Sequence, residues 1–307
     1  MWKSPYVLLL VATCLWGGNF VVGKAIVADI PPLMLAATRW MLALLLVLPI
    51  WGKELRANRP LLLKHWRMVL FLSLTGVAGF NTLTYIAVQY TDSINASLMN
   101  AATPIIVVLL STLMLREKTA WNAIPAILIS MVGVLWIISH GTWSAISGLS
   151  FNSGDLWMIV AITCWAAYSV GMKKVAGVLP VNALFVAKII VALMVLVPSS
   201  IVEWIVRQPQ LHLTAPLTAG VIYVGIFASV VAFSSWNSAI MVLGPARCSG
   251  FLNFIPLFSA IFATLFRGEV IHYYHLIGAC LIVTGVFWMN RVLQNGTKTN
   301  STRATAA

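Results

Sequence analysis

Residues 16–49 read WGGNFVVGKAIVADIPPLMLAATRWMLALLLVLP, and residues 165–198 read WAAYSVGMKKVAGVLPVNALFVAKIIVALMVLVP. An offset of 149 places Trp16 on Trp165, Lys24 on Lys173, Pro31 on Pro180, Arg39 on Lys188 and Pro49 on Pro198 without a gap. Apolar sequences align easily by chance, but Trp, Pro and charged residues falling in register do not. Further along, an offset of 152 pairs Ala87 with Ala239, Ser97 with Ser249, Pro104 with Pro256, Glu117 with Glu269, Gly133 with Gly285 and Trp136 with Trp288. The chain reads as two copies of one unit, residues 1–150 and 151–294, followed by a polar tail, 295–307, that is expected to be disordered and cytoplasmic.

The composition says where such units live. Of 307 residues, 61% are hydrophobic and only 8% charged, and mean hydropathy is +0.95. A soluble fold needs charged side chains over its surface, and this chain lacks them, which excludes a soluble enzyme and a disordered protein. Crossing a bilayer takes roughly 20 apolar residues. Ten runs qualify, at about 5–27, 33–51, 67–89, 94–115, 121–139, 155–174, 182–204, 215–238, 246–266 and 273–291. The predicted fold is an all-α integral membrane protein with five spans in each copy. An odd number of spans sets the second copy upside down relative to the first, an arrangement found in alternating-access transporters. The first span lacks an Ala-x-Ala-like cleavage site and is expected to stay uncleaved.

The excess of basic residues looks at first like nucleic-acid affinity, but its distribution points elsewhere. With the N-terminus inside, fourteen Lys and Arg fall on inner loops and three on outer ones. This bias predicts that both termini are cytoplasmic, with lipid rather than nucleic acid as the partner. The four cysteines show no metal-ligand spacing and the five histidines no i, i+4 pair, so neither a metal site nor a cofactor is expected.

Leu15-Trp16-Gly17-Gly18-Asn19-Phe20 opens the first copy. Gly244-Pro245-Ala246-Arg247, Pro256, Glu269 and Gly285 punctuate the second, with a weaker series of Ser93, Pro104, Glu117 and Gly133 in the first. In these residues and their joint spacing the chain resembles the drug/metabolite transporter superfamily and, within it, the ten-span exporters of the EamA family. Arg267 departs from the pattern, which has an apolar residue there. The resemblance implies a bacterial inner-membrane exporter of amino acids or related small metabolites, not an enzyme. The oligomeric state is not encoded in any motif.

Ionisable groups inside spans are costly and are functional candidates by default. Arg39 lies about 10 Å into the second span, counting from Pro32. It could hold a substrate carboxylate, or it could snorkel or pair with Asp29. Lys188 is its mate in the other copy. All seven carboxylates fall at span ends or in loops. Proton antiport therefore has no evident carrier unless a boundary group such as Asp155 serves, and facilitated export is favoured.

Trp16 and Asn19 share a face of the first span, and Trp165 and Tyr168 the matching face of the sixth. Asn81, Thr84 and Tyr85 cluster on the third span, Ser234, Trp236 and Asn237 on the eighth. Asn100 and Asn253 accompany Pro104 and Pro256, which are read as kinks and hinges. A bare amide in lipid needs a partner or water. These residues are expected to line a substrate cavity, the alternative being hydrogen bonds that join helices. The competing readings are a proton-coupled antiporter and, from a different class, a membrane enzyme of lipid metabolism.

Overall fold

A computed structural model describes residues 4–305 apart from 27–28, 88, 91–98, 116–117, 143, 145–146, 148–151, 210–213 and 268–271. Among the described residues there are helices and no strands. Nine of the described helices are long and apolar enough to cross a membrane, and a tenth, shorter one is apolar. In chain order they are α1 (Pro5–Ile26), α2 (Pro32–Ala57), α3 (Trp66–Ala87), α4 (Met99–Leu115), α5 (Trp121–Ile138), α6 (Ser153–Lys174), α7 (Val181–Arg207), α8 (Ala215–Leu243), α9 (Pro245–Phe266) and α10 (Tyr273–Thr305).

The ends of these helices follow local chemistry. Asn152 caps α6, accepting from the N–H groups of Gly154 and Asp155, while Asp155 accepts from the Asn152 N–H at 2.9 Å. This reciprocal box satisfies donors that a helix start leaves open. It also occupies Asp155, the boundary carboxylate considered as a proton carrier. Gly244 alone connects α8 to α9 at φ +83°, a conformation that L side chains rarely adopt. Pro245 then occupies the first helical position, and Arg247 Nη2 reaches the carbonyl of Leu293 near the end of the apolar part of α10 at 3.1 Å.

Two expectations are corrected here. The tail from Asn295, read as disordered, continues α10 to Thr305. Extending an existing helix adds one hydrogen bond for each residue fixed, whereas starting one is costly. Pro104 and Pro256 do not kink helix interiors. Pro104 is the second residue of the segment Thr103–Leu115, and Pro256 the third of Phe254–Arg267, which follows a 3-10 turn at Gly250–Asn253. Each restarts a helix after a break, where the missing N–H costs nothing. The Asn100 carbonyl, near the first break, takes the Thr103 hydroxyl instead. The prolines within continuous helices are the matched pair Pro49 and Pro198.

Helix packing repeats the sequence offsets. The carboxylate of Glu203, late in α7, accepts from the Leu33 and Met34 N–H groups at the start of α2, at 2.9 and 3.1 Å. Glu54, late in α2, accepts from the Asn182 amide at the start of α7 at 3.1 Å. The two helices are thus antiparallel. Glu54 and Glu203 stand 149 apart, as do Leu33 and Asn182. In the same manner Gly133 of α5 abuts the Gly278 carbonyl of α10, and Gly285 abuts that of Ala126, residues 152 apart. Spans α3 and α8 each contain a π-helical stretch, Ser73–Gly79 and Val224–Val231.

The start of α2 has no side-chain cap of its own, so Glu203 does that work from a neighbouring helix. Replacing Glu203 with Ala is expected to cost about 1–2 kcal/mol. In thermal unfolding of the detergent-solubilised protein this should lower Tm by several degrees, and Gln, which keeps one acceptor, by less.

Candidate functional site

The site grows from the two cations that the sequence places inside spans. Arg39 is 1% exposed and Lys188 0%, so neither snorkels. Arg39 Nε donates to Ser229 Oγ at 2.7 Å, and its Nη1 to Asn81 Oδ1 and to Tyr85 Oη, each at 3.0 Å. Its guanidinium carbon lies 5.4 Å from the Trp40 ring centroid. Ser229 belongs to the π-helical stretch of α8, and its hydroxyl bonds to the carbonyl of Val224, five residues back. That local widening, a feature common at functional sites, sets the hydroxyl against Arg39.

Lys188 Nζ donates to Tyr168 Oη at 2.7 Å and reaches Met172 Sδ at 3.3 Å. Tyr168 passes its own proton donor to Asn237 Oδ1. Lys188 also sits 4.6 Å from the Tyr168 ring centroid and 5.7 Å from that of Phe185. All these partners are neutral. Among the described residues the ion pair within 4 Å is Arg207–Glu203, at a helix end. Asp29 is exposed, and Glu54, Asp155 and Glu203 are engaged at helix ends.

Between the cations lies an aromatic cluster. Trp16 packs against Trp165, Trp236 and Phe233 with ring centroids 5.3, 5.4 and 5.6 Å apart. Phe80 closes on Trp165 at 4.9 Å and Trp40 on Phe233 at 5.0 Å. The Trp16 indole N–H donates to the Ala228 carbonyl at 3.1 Å. Those of Trp40, Trp165 and Trp236 have no partner, nor do Asn81 Nδ2, Asn237 Nδ2 and Asn19 Oδ1.

Most of the expected faces therefore converge: Trp16, Trp165, Tyr168, Trp236 and Asn237 in the cluster, Arg39, Asn81 and Tyr85 on one flank, Lys188 on the other. They pack against one another instead of lining an open cavity. Others go elsewhere. The Thr84 hydroxyl bonds back to the Phe80 carbonyl of its own helix at 2.8 Å. Asn253 donates to Ser130 on α5 at 2.6 Å and so joins α9 to α5. Ser234 is half-buried, one residue round α8 from Phe233, with its hydroxyl unpartnered. Asn19 is half-buried on α1 and Asn100 buried on α4. Ser93, Glu117 and Glu269 of the repeat signature lie outside the described residues.

Sequence reading missed Trp40, Phe80, Ser229 and Phe233. Phe233 was within reach, because 233, 236 and 237 follow the helical i, i+3, i+4 rule. Ser229 gave no signal, since its role depends on the π-helical register.

The profile of the EamA-like transporter family matches residues 3–139 and again 152–291. The uncharacterized transporter YyaM of Bacillus subtilis is 26% identical over 292 residues, covering 94% of each chain. A protein of Streptantibioticus cattleyicolor named "Probable terminal-alkyne amino-acid exporter" is 34% identical over 80 residues, 25% of this chain and 27% of that one. One solved crystal structure superposes with a TM-score of 0.72 at 19% identity, covering 92% of this chain and 95% of the other.

Proposed function

This chain belongs to the EamA-like transporter family, and on that premise we propose that it exports small metabolites of the amino-acid class across a bacterial inner membrane by alternating access. It is a multi-pass membrane protein. The observation that carries the reading is the meeting of repeat-related groups from both halves at one buried centre: Trp16 with Trp165, and Arg39 and Lys188 on its two flanks. An inverted repeat is supported by the antiparallel packing of α2 on α7 and by the matched contacts Gly133–Gly278 and Gly285–Ala126. In such a repeat, each half takes up the conformation of the other when access switches sides.

The aromatic cluster must part for substrate to enter, and the helix breaks before Pro104 and Pro256 are where α4 and α9 would bend. Both termini lie in the cytoplasm, a reading that the fourteen-to-three distribution of basic residues supports. The units 1–150 and 151–294 are the moving halves. Glu54, Asp155 and Glu203 are engaged at helix ends, which favours facilitated export over proton antiport.

Purified protein in liposomes loaded with unlabelled amino acids and related acids should catalyse counterflow of the labelled compound above the rate of protein-free liposomes. Absence of exchange for every compound of the class would refute the proposal.

A further inference from the structure

Taking the transport reading above as its basis, we infer that the substrate carries a net negative charge: an organic acid with an apolar or aromatic body, related to an amino acid but without a free ammonium group. The argument is one of charge and of hydrogen-bond type. The Arg39 guanidinium is positively charged and almost wholly enclosed, and its hydrogen-bond partners among the described residues, Ser229, Asn81 and Tyr85, are neutral. A buried charge without a counter-charge is expensive. A zwitterion adds no net charge and leaves that cost standing. An anion cancels it.

The donors beside Arg39 point the same way. Nε is occupied by Ser229 and Nη1 by Asn81 and Tyr85, while no acceptor among the described residues bonds to Nη2. Asn81 accepts through Oδ1, and its Nδ2 has no partner. Tyr85 accepts the Arg39 N–H, which leaves its own O–H to donate elsewhere. The open Nη2 of the guanidinium and the two donors beside it make three, and a carboxylate is the group that satisfies them together. The second half repeats the theme with Lys188 and the unpartnered Asn237 Nδ2, which is 0% exposed. The unpartnered indole N–H groups of Trp165 and Trp236 add two more donors beside an apolar ring surface. Against these, the unpartnered acceptors on the same helices are neutral, among them Asn19 Oδ1 and the hydroxyls of Thr82, Ser169 and Ser234. Among the described residues no carboxylate bonds to Arg39, Lys188, Tyr168 or Asn237, so the site offers an ammonium group no counter-charge there.

The test holds the body constant and changes the charge. Proteoliposomes are assayed with phenylpyruvate, phenylalanine and phenethylamine, and with 4-methyl-2-oxopentanoate, leucine and 3-methylbutylamine, each corrected for protein-free liposomes. The oxo acid of at least one series is expected to move about tenfold or more faster than its amino acid, and the amine not at all; one unpaired buried charge readily supplies such a ratio. Equal or faster movement of an amino acid or amine overturns the inference and leaves the transport reading standing. Movement of none of the six overturns the inference, while the transport reading falls only if the counterflow assay over the whole class also fails.

Discussion

Replacing Arg39 with Gln is expected to cut transport by about a hundredfold, toward the rate of protein-free liposomes, without loss of folded protein. Each hydrogen bond to a charged group contributes about 1.5–3 kcal/mol, and Gln cannot span Ser229, Asn81, Tyr85 and a substrate at once. Lys should not rescue the rate. Its three donors radiate from one point, whereas the guanidinium reaches three side chains on two helices in fixed directions. Stability separates this role from a structural one. Removing one member of a buried ion pair is strongly destabilising because it strands the other charge. Arg39 has no ionic partner to strand, so Tm of the Arg39→Gln protein should stay level or rise. A large fall in Tm together with the lost flux would mark Arg39 as a scaffold residue.

The second large effect concerns the contact of α5 with α10. A methyl group at Gly285 would lie 2.6 Å from the Ala126 carbonyl oxygen and 2.7 Å from the Ser130 nitrogen. One at Gly133 would lie 2.7 Å from the Gly278 oxygen and 2.9 Å from the Ile282 nitrogen. These are backbone atoms of a facing helix and cannot swing aside, so the helices must separate. Overpacking of this kind costs about 1–3 kcal/mol per site. The double variant Gly133→Ala/Gly285→Ala should lower Tm in detergent by roughly 5–10 °C. Gly52→Ala is the control: its nearest contact is Leu48 at 3.6 Å, an ordinary separation. There the gain in helix propensity of up to ~1 kcal/mol acts alone, and Tm should not fall. Similar Tm values for the double variant and the control would mean that α5 and α10 do not hold this close approach.

Much of this was legible in the sequence. Trp16, Trp165, Tyr168, Trp236 and Asn237 could be assigned to one site because polar and aromatic residues recurring every three or four positions must share a helix face. Arg39 and Lys188 stood out because a cation in an apolar span is rare. The same reasoning treated Asn237 and Asn253 alike, and they differ: one completes a chain from Lys188, the other ties α9 to Ser130. Thr84 looked like Tyr85 and instead bonds to its own helix. Residue type and spacing fix which face a side chain occupies, but not what stands opposite.

The sequence by itself determined the all-helical membrane fold, the matching order of residues in its two halves and the basic residues within spans, because these depend on the cost of polar groups in hydrocarbon and on residue order. Only the tertiary structure decided that Arg39 and Lys188 have neutral partners, that Ser229 reaches Arg39 through a π-helical register, that Glu203 caps the start of α2, and that Glu54 holds the Asn182 side chain of α7. Those facts depend on how helices far apart in sequence rotate and slide against one another. In helices apolar nearly all round, hydropathy does not set that rotation; close glycine contacts and buried hydrogen bonds do.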